Sequence, residues 1–195
     1  MKLSTNSTQA LILIDVQTAF DDINYWGGNR NNQEAEQNIA GLLHHWRENG
    51  LPLFHVKHNS TMAGSLLSES SPGNAFKPEA MPLKHECIVA KNVNSAFIGT
   101  NLQQLLDEQG IETVMIAGFI TEHCVSTTAR MAANLGYKTY VVSDATVSFA
   151  KRGVNGESFT ADIVHAVSLA TLQDEFATII TSAQAKEMTA EHAQC

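Results

Sequence analysis

The sequence predicts an α/β fold of three layers, with helices on both faces of a mostly parallel central sheet of about six strands. Three observations predict it. Short apolar runs alternate along the chain with segments whose apolar residues recur at helical spacing. The strongest runs are almost continuously apolar, as strands buried on both faces require. Three helical segments stop at glycines, Gly50, Gly110 and Gly136, each shortly before another apolar run.

The strands are expected in this order. Ala10–Asp15 (ALILID) is the first, and Leu51–Lys57 (LPLFHVK) the second. Cys87–Ala90 (CIVA) is a weaker third, Thr113–Gly118 (TVMIAG) a strong fourth, Thr139–Asp144 (TYVVSD) a fifth and Ala177–Ile180 (ATII) a short sixth. Between them, Ile39, Leu42, Leu43 and Trp46 recur at i, i+3, i+4 and i+7. Ile98, Leu102, Leu105 and Leu106 form a second helical stripe, and Val125, Ala129, Ala132 and Ala133 a third. Ile163, Val167 and Ala170 form the last. No internal repeat, low-complexity tract or linker splits the chain, so residues 1–195 are expected to form one domain. The one long irregular stretch, residues 59–86, carries Pro72, Pro78, Pro82, Gly64, Gly73 and five serines. Loops of this length in a compact domain either shape a pocket or simply cover surface, and the sequence leaves both open.

Composition narrows the class. With 195 residues, 44% of them hydrophobic and 16% charged, the chain can bury a core without help from disulfides or metal. The formal net charge of −8 leaves no basic face to neutralise phosphates, so neither nucleic acid nor an anionic membrane is an expected partner. The three cysteines, Cys87, Cys124 and Cys195, are odd in number and lack C-x-x-C spacing, which fits a reducing compartment and a single working thiol. The polar start MKLSTNSTQA and the short apolar run Leu11–Ile14 carry no signal or membrane-span pattern. The expectation is a soluble cytoplasmic protein.

In an open parallel sheet, ligands bind beyond the carboxyl ends of the strands. Asp15 ends the first strand, Lys91 follows the third, and Cys124 follows the fourth and opens a helix. With Thr121 as N-cap, Cys124 falls in the first helical turn, where free N–H groups favour a thiolate and a developing oxyanion. Position alone leaves Cys124 evenly balanced between a working thiol and a buried structural cysteine. Asp15 taken singly reads as a turn cap, and Lys91 as a solvated lysine. It is their joint placement that points to a base, a cation and a nucleophile. His55 and His58 are weak metal candidates, since no carboxylate lies within several residues of them, and packed or hydrogen-bonded roles are the commoner fate. His123 cannot face Cys124 from the adjacent helical position. Cys87 reads as strand core, Cys195 as tail and mid-helix His165 as structural. No G-x-G-x-x-G, P-loop or G-x-S-x-G motif is present.

Three segments together resemble the isochorismatase-like cysteine hydrolases, a family that includes nicotinamidase and N-carbamoylsarcosine amidohydrolase. LILIDVQTAF carries the family aspartate as Asp15, followed by Gln17 and Phe20. KNVNSAFIGTNL carries the lysine as Lys91, and GFITEHCVSTTARMAANLGYKTYVVSDA the nucleophile as Cys124. The resemblance runs from about residue 10 to 180. It implies a Rossmann-like fold, a catalytic triad of Asp15, Lys91 and Cys124, and a cis peptide at Phe119–Ile120. It also implies an oxyanion hole built from the backbone N–H groups of Ile120 and Cys124, and a homo-oligomer, dimer or tetramer. Cys124 argues for acyl chemistry rather than the vinyl-ether cleavage of isochorismatases proper. The Asp-x-His pattern of metal-dependent nicotinamidases is missing from FHVKH at residues 54–58, so no metal and no cofactor is expected.

The expected function is therefore hydrolysis of a small-molecule amide or related C–N acyl bond through a thioester. A same-fold hydrolase that cleaves an ester or ether without a thioester, and a non-catalytic binding protein keeping the fold, are the alternatives. Gln17, Phe20, Trp26, Asn74, Phe76 and Phe97 are the candidate substrate-binding residues, chosen by their position after strands or in the long loop.

Overall fold

The computed structural model describes residues 9–190; Cys195, read from the sequence as a tail residue, lies outside them. Six strands form one sheet: β1 (Gln9–Ile14), β2 (Leu53–His58), β3 (Cys87–Lys91), β4 (Thr113–Phe119), β5 (Lys138–Val147) and, after a small antiparallel pair β6 (Lys151–Arg152) and β7 (Ser158–Phe159), β8 (Thr178–Ile180). Their order is β3-β2-β1-β4-β5-β8 and every neighbouring pair is parallel. All six expected strands are present. The helices are α1 (Ile23–Trp26), α2 (Ala35–Glu48), α3 (Leu102–Glu108), α4 (Ser126–Asn134), α5 (Ala161–Ala170) and α6 (Ser182–Ala190). Among the described residues, no helix is long and apolar enough to cross a membrane.

The continuous apolar run of β1 is explained by its place at the sheet centre. Each of its residues is buried, and they divide by parity. Leu11 and Leu13 join the core under α2, with Ile39, Leu42, Leu43 and Trp46. Ala10, Ile12 and Ile14 join the core under α3 and α4, with Leu102, Leu106, Ala129 and Ala132. The strand order reverses at β1, which pairs with β2 on one side and β4 on the other. The carboxyl ends at that reversal are where an open α/β sheet binds its ligands. Gly118 allows the two central strands to come this close there. Its φ is +125°, and a Cβ on it would lie 2.0 Å from the carbonyl oxygen of Ile14.

Three expectations require correction. Ile98 lies before α3 and is 47% exposed, so the second helix starts later than its apolar spacing suggests. Thr121 is not an N-cap. Ile120 precedes a five-residue π-helical turn, Thr121–Val125, and the Thr121 hydroxyl instead meets His165 Nδ1 at 3.0 Å. The stripe of α5 does not face the core: Ile163 and Val167 are 50% and 57% exposed, Ala170 is exposed too, and only Ala161 of this helix is buried.

The long stretch 59–86 is ordered by polar anchors. Lys77 pairs with Asp21 and Glu36, and Glu36 also takes a two-pronged contact from Arg30. At its far end, Glu86 accepts from Arg47 of α2 at 2.7 and 2.8 Å, from the Leu83 N–H at 2.8 Å and from His55 Nε2 at 2.9 Å. Burial pushes the Glu86 carboxyl up, but the Arg47, Leu83 and His55 hydrogen bonds outweigh it and hold its pKa at about 2. A carboxyl lowered from 4.5 stabilises the fold above that value and loses the contribution as pH falls toward 2. Glu86→Gln should thus lower stability by roughly 2–3 kcal/mol at pH 7. Urea denaturation at stepped pH should show the gap to wild type closing between pH 4.5 and 2.

Candidate active site

The carboxyl ends of β1, β2, β3 and β4 bring four side chains together. Asp15 follows β1 with φ +50°, a left-handed conformation that aspartate tolerates better than most residues. Its carboxylate is wholly buried. Lys91 is the last residue of β3, with its side chain likewise buried. His58 ends β2 and is the register partner of Lys91. Cys124 sits in the π-helical turn between β4 and α4 and is 8% exposed.

The Lys91 ammonium lies at the centre. Its Nζ donates to Asp15 Oδ2 at 2.7 Å, faces His58 Nδ1 at 2.8 Å, and donates to Cys124 Sγ at 3.3 Å. Asp15 Oδ1 is buried with no hydrogen-bond partner among the described residues. Burial pushes the Cys124 thiol far up, and the Asp15 charge adds to this against the opposing pull of Lys91. The resting sulfur therefore carries its proton at neutral pH. Burial first, and then the Lys91 charge, push His58 down against the pull of Asp15, so its imidazole is neutral. A carboxylate oxygen of Asp15, a ring nitrogen of His58 and the sulfur lie within 4.8 Å of one another, a donor set of the kind a metal uses. The Lys91 Nζ lies within 3.3 Å of an atom from each of the three residues.

A cavity of about 240 Å³ opens onto the sulfur. Phe20, Trp26, Leu67 and Ile120 supply apolar wall, and Cys124, His58, Asn94 and His123 are its polar lining near the turn. The loop 59–86 contributes Ser60, Met62, Ala63 and Ser65 as well as Leu67, so it shapes the pocket. Phe20 stacks on Phe119 with ring centroids 5.2 Å apart and lies tilted against Trp26 at 4.7 Å, and the Trp26 indole N–H donates to the Ala19 carbonyl. A wider, more open groove of about 550 Å³ is lined by Asn59, Ser60, Glu69, Ser70, Lys91 and Asn92, and Cys124 is not part of its lining.

Asp15, Lys91 and Cys124, expected together, are in mutual contact through Nζ. The Phe119–Ile120 peptide is cis, as the family resemblance implied, and both Ile120 and Cys124 face the cavity. Phe20 and Trp26 are pocket wall. The other four candidate substrate-binding residues lie elsewhere. Gln17 and Asn74 are buried behind the site, where they hold the backbone of His58. Phe76 packs edge-on to His55 and under Lys57, and Phe97 stacks on Tyr137. Reasoning from sequence weighs His58 only as a weak metal candidate, not as a partner of Lys91, and misses Asn94. His58 had a signal: it stands at the carboxyl end of a strand beside the strand that carries Lys91. Asn94, whose Oδ1 is 3.9 Å from the sulfur, sits in the lysine segment without any pattern of its own.

Comparison with known proteins places these features. The isochorismatase domain family model matches residues 9–184. The uncharacterized isochorismatase family protein YrdC of Bacillus subtilis (strain 168) is 48% identical over 176 residues, covering 90% of this chain and 93% of that protein. Nicotinamidase 3 of Arabidopsis thaliana is 27% identical over 153 residues, covering 72% and 73%. A solved isochorismatase-family structure from Chromobacterium violaceum ATCC 12472 superposes with a TM-score of 0.91 at 41% identity, covering 98% of this chain and 97% of that one.

Removing the cation should expose its importance to the fold. Lys91→Met leaves the Asp15 carboxylate buried without a counter-charge, which costs about 3–5 kcal/mol. Urea denaturation should show that loss in Lys91→Met, and should show most of it recovered in the double variant Asp15→Asn/Lys91→Met.

Proposed function

The chain belongs to the isochorismatase family of hydrolases, and from that premise we propose that it is a cysteine-dependent hydrolase of a small-molecule amide or related C–N acyl bond, acting through a thioester. The observation that carries the reading is the Cys124 sulfur, held against the Lys91 ammonium near a buried carboxylate and open to a mostly apolar cavity. The amidase name of the nicotinamidase relative supports the choice of an amide.

The geometry supports the following steps. The resting thiol is protonated, so its proton must leave as the bond to carbon forms. Asp15 takes it, and its unpartnered Oδ1 is the available acceptor. The thiolate attacks the acyl carbon, and the carbonyl oxygen becomes an oxyanion received by the N–H groups of Ile120 and Cys124. Lys91 stabilises the charge as it moves between carboxylate and sulfur. Asp15 returns the proton to the departing amine or ammonia as the C–N bond breaks. Water, deprotonated by Asp15, then attacks the thioester, releases the acid and returns the thiol. Phe20 and Trp26 form the wall against which the acyl group lies, and exclusion of water there strengthens each electrostatic contact. Gln17, Asn74, Phe76 and Phe97 support this wall and the strand ends rather than meeting substrate. Neither a metal nor a cofactor enters any step.

We read the molecule as one domain over residues 1–195, cytoplasmic, and a homo-oligomer, dimer or tetramer. The exposed Ile163 and Val167 of α5 supply an apolar face suited to a second copy, and the unpaired cysteines Cys87 and Cys124 suit a reducing compartment.

A panel of small amides, ureas and carbamoyl compounds, scored for amine or ammonia release, tests the reaction. Cys124→Ala should melt like wild type yet release nothing, and intact mass after a slow substrate should show the acyl adduct on Cys124. Activity that survives in Cys124→Ala would instead favour ester or ether cleavage through Asp15.

A further inference from the structure

We propose that His58 is a positioning residue for the Lys91 ammonium: by accepting one of its three hydrogens at Nδ1, it directs the other two to Asp15 and Cys124. The inference rests on Cys124 being the working thiol. An ammonium has three donors and no acceptor. Three acceptors stand around Nζ, at 2.7, 2.8 and 3.3 Å, and each comes from a different segment of the chain. Without His58, the third hydrogen has a buried acceptor close by, the unpartnered Oδ1 of Asp15. The ammonium would then turn toward both oxygens of Asp15, leave the sulfur, and occupy the lone pair on which the base function depends. His58 prevents that turn.

His58 is itself held for the purpose. Its backbone N–H donates to Gln17 Oε1 at 2.9 Å, and its carbonyl accepts from Gln17 Nε2 at 3.2 Å and from Asn74 Nδ2 at 3.0 Å. Both amide side chains are buried, and neither lines the cavity. With Nδ1 as acceptor, the ring hydrogen is on Nε2, an assignment made from the network. The titratable and charged groups facing the ring are Lys91 from β3, Asp15 from β1 and the neutral thiol from the π-helical turn, with His123 lining the same cavity. A second proton would set an Nδ1–H against the ammonium N–H, and Lys91 would be driven off. Burial and the Lys91 charge hold that event below the ordinary histidine range.

The test needs no substrate. Alkylation of Cys124 by iodoacetamide, followed by peptide mass spectrometry from pH 5 to 9, reads how well the sulfur is served by the ammonium. Wild type, His58→Leu and His58→Asn are compared, each with a melting curve to show that it is folded. His58→Leu should alkylate about tenfold more slowly at pH 7.5, the effect of one unit in the thiol's pKa. His58→Asn, whose amide oxygen can stand in for Nδ1, should stay within about threefold of wild type, since one hydrogen bond is replaced by another. Because His58 gains its proton only below the ordinary histidine range, the wild-type rate should drop away from that of His58→Asn toward the acid end of the series, where His58→Asn has no proton to gain. Equal rates for wild type and folded His58→Leu overturn the proposal. So does a wild-type to His58→Asn ratio that is flat with pH, and that ratio decides the matter if His58→Leu does not fold. Failure of every amide to turn over would overturn the amide reading and leave these alkylation rates as they are.

Discussion

One buried ammonium organises the site. Lys91 Nζ gathers an oxygen, a nitrogen and a sulfur that reach it from the ends of β1 and β2 and from the turn after β4. A buried charge is expensive unless it is paired and fully hydrogen-bonded, so this cation constrains its neighbours as much as they constrain it. Asp15 and Lys91 pair where neither side chain is exposed to solvent. The thiol keeps its proton because burial and Asp15 together outweigh the pull of Lys91. The result is a protonated thiol with a carboxylate and an ammonium beside it, the arrangement that the proposed mechanism uses.

The sheet makes this geometry inexpensive to build. In parallel neighbours, residues at the same height lie side by side, so His58 and Lys91 meet simply by register. The reversal of strand order at β1 sets Asp15 between the β2 side and the β4 side. Gly118 lets β4 approach Ile14 without a Cβ between them, so the turn bearing Cys124 starts close to Asp15. Gln17 and Asn74 then tie the end of β2 to the long loop, which in turn contributes wall to the cavity. Positioning and substrate enclosure are thus parts of one hydrogen-bonded structure.

Much of this was legible in the sequence, for physical reasons that differ by element. β1 and β4 announce themselves because burial on both faces demands continuous apolar runs. Asp15, Lys91 and Cys124 were found by asking which polar residues follow the strands. The same rule reaches His58 after β2 but reads it with His55 as a weak metal candidate, because LPLFHVK stops one residue short of the observed strand end and the sequence carries no sign of the register that sets His58 beside Lys91. Gln17 and Asn74 stand in the expected region, and their side chains hold the His58 backbone, a contact that tertiary structure decides and sequence position does not show. The stripe of α5 shows the opposite limit. Helical spacing of Ile163 and Val167 established the helix, but apolar spacing cannot say whether the face it marks meets the core or points outward.

The central claim is that Lys91 is a fully protonated cation shared among three acceptors, beside a sulfur that still holds its proton. Neutron diffraction from deuterated crystals at neutral pH tests it most directly. Three deuterons on Lys91 Nζ, aimed at Asp15 Oδ2, His58 Nδ1 and Cys124 Sγ, with His58 deuterated on Nε2 alone and one deuteron on the sulfur, is the predicted result. A deuteron on His58 Nδ1, or only two on Lys91 Nζ, would contradict it.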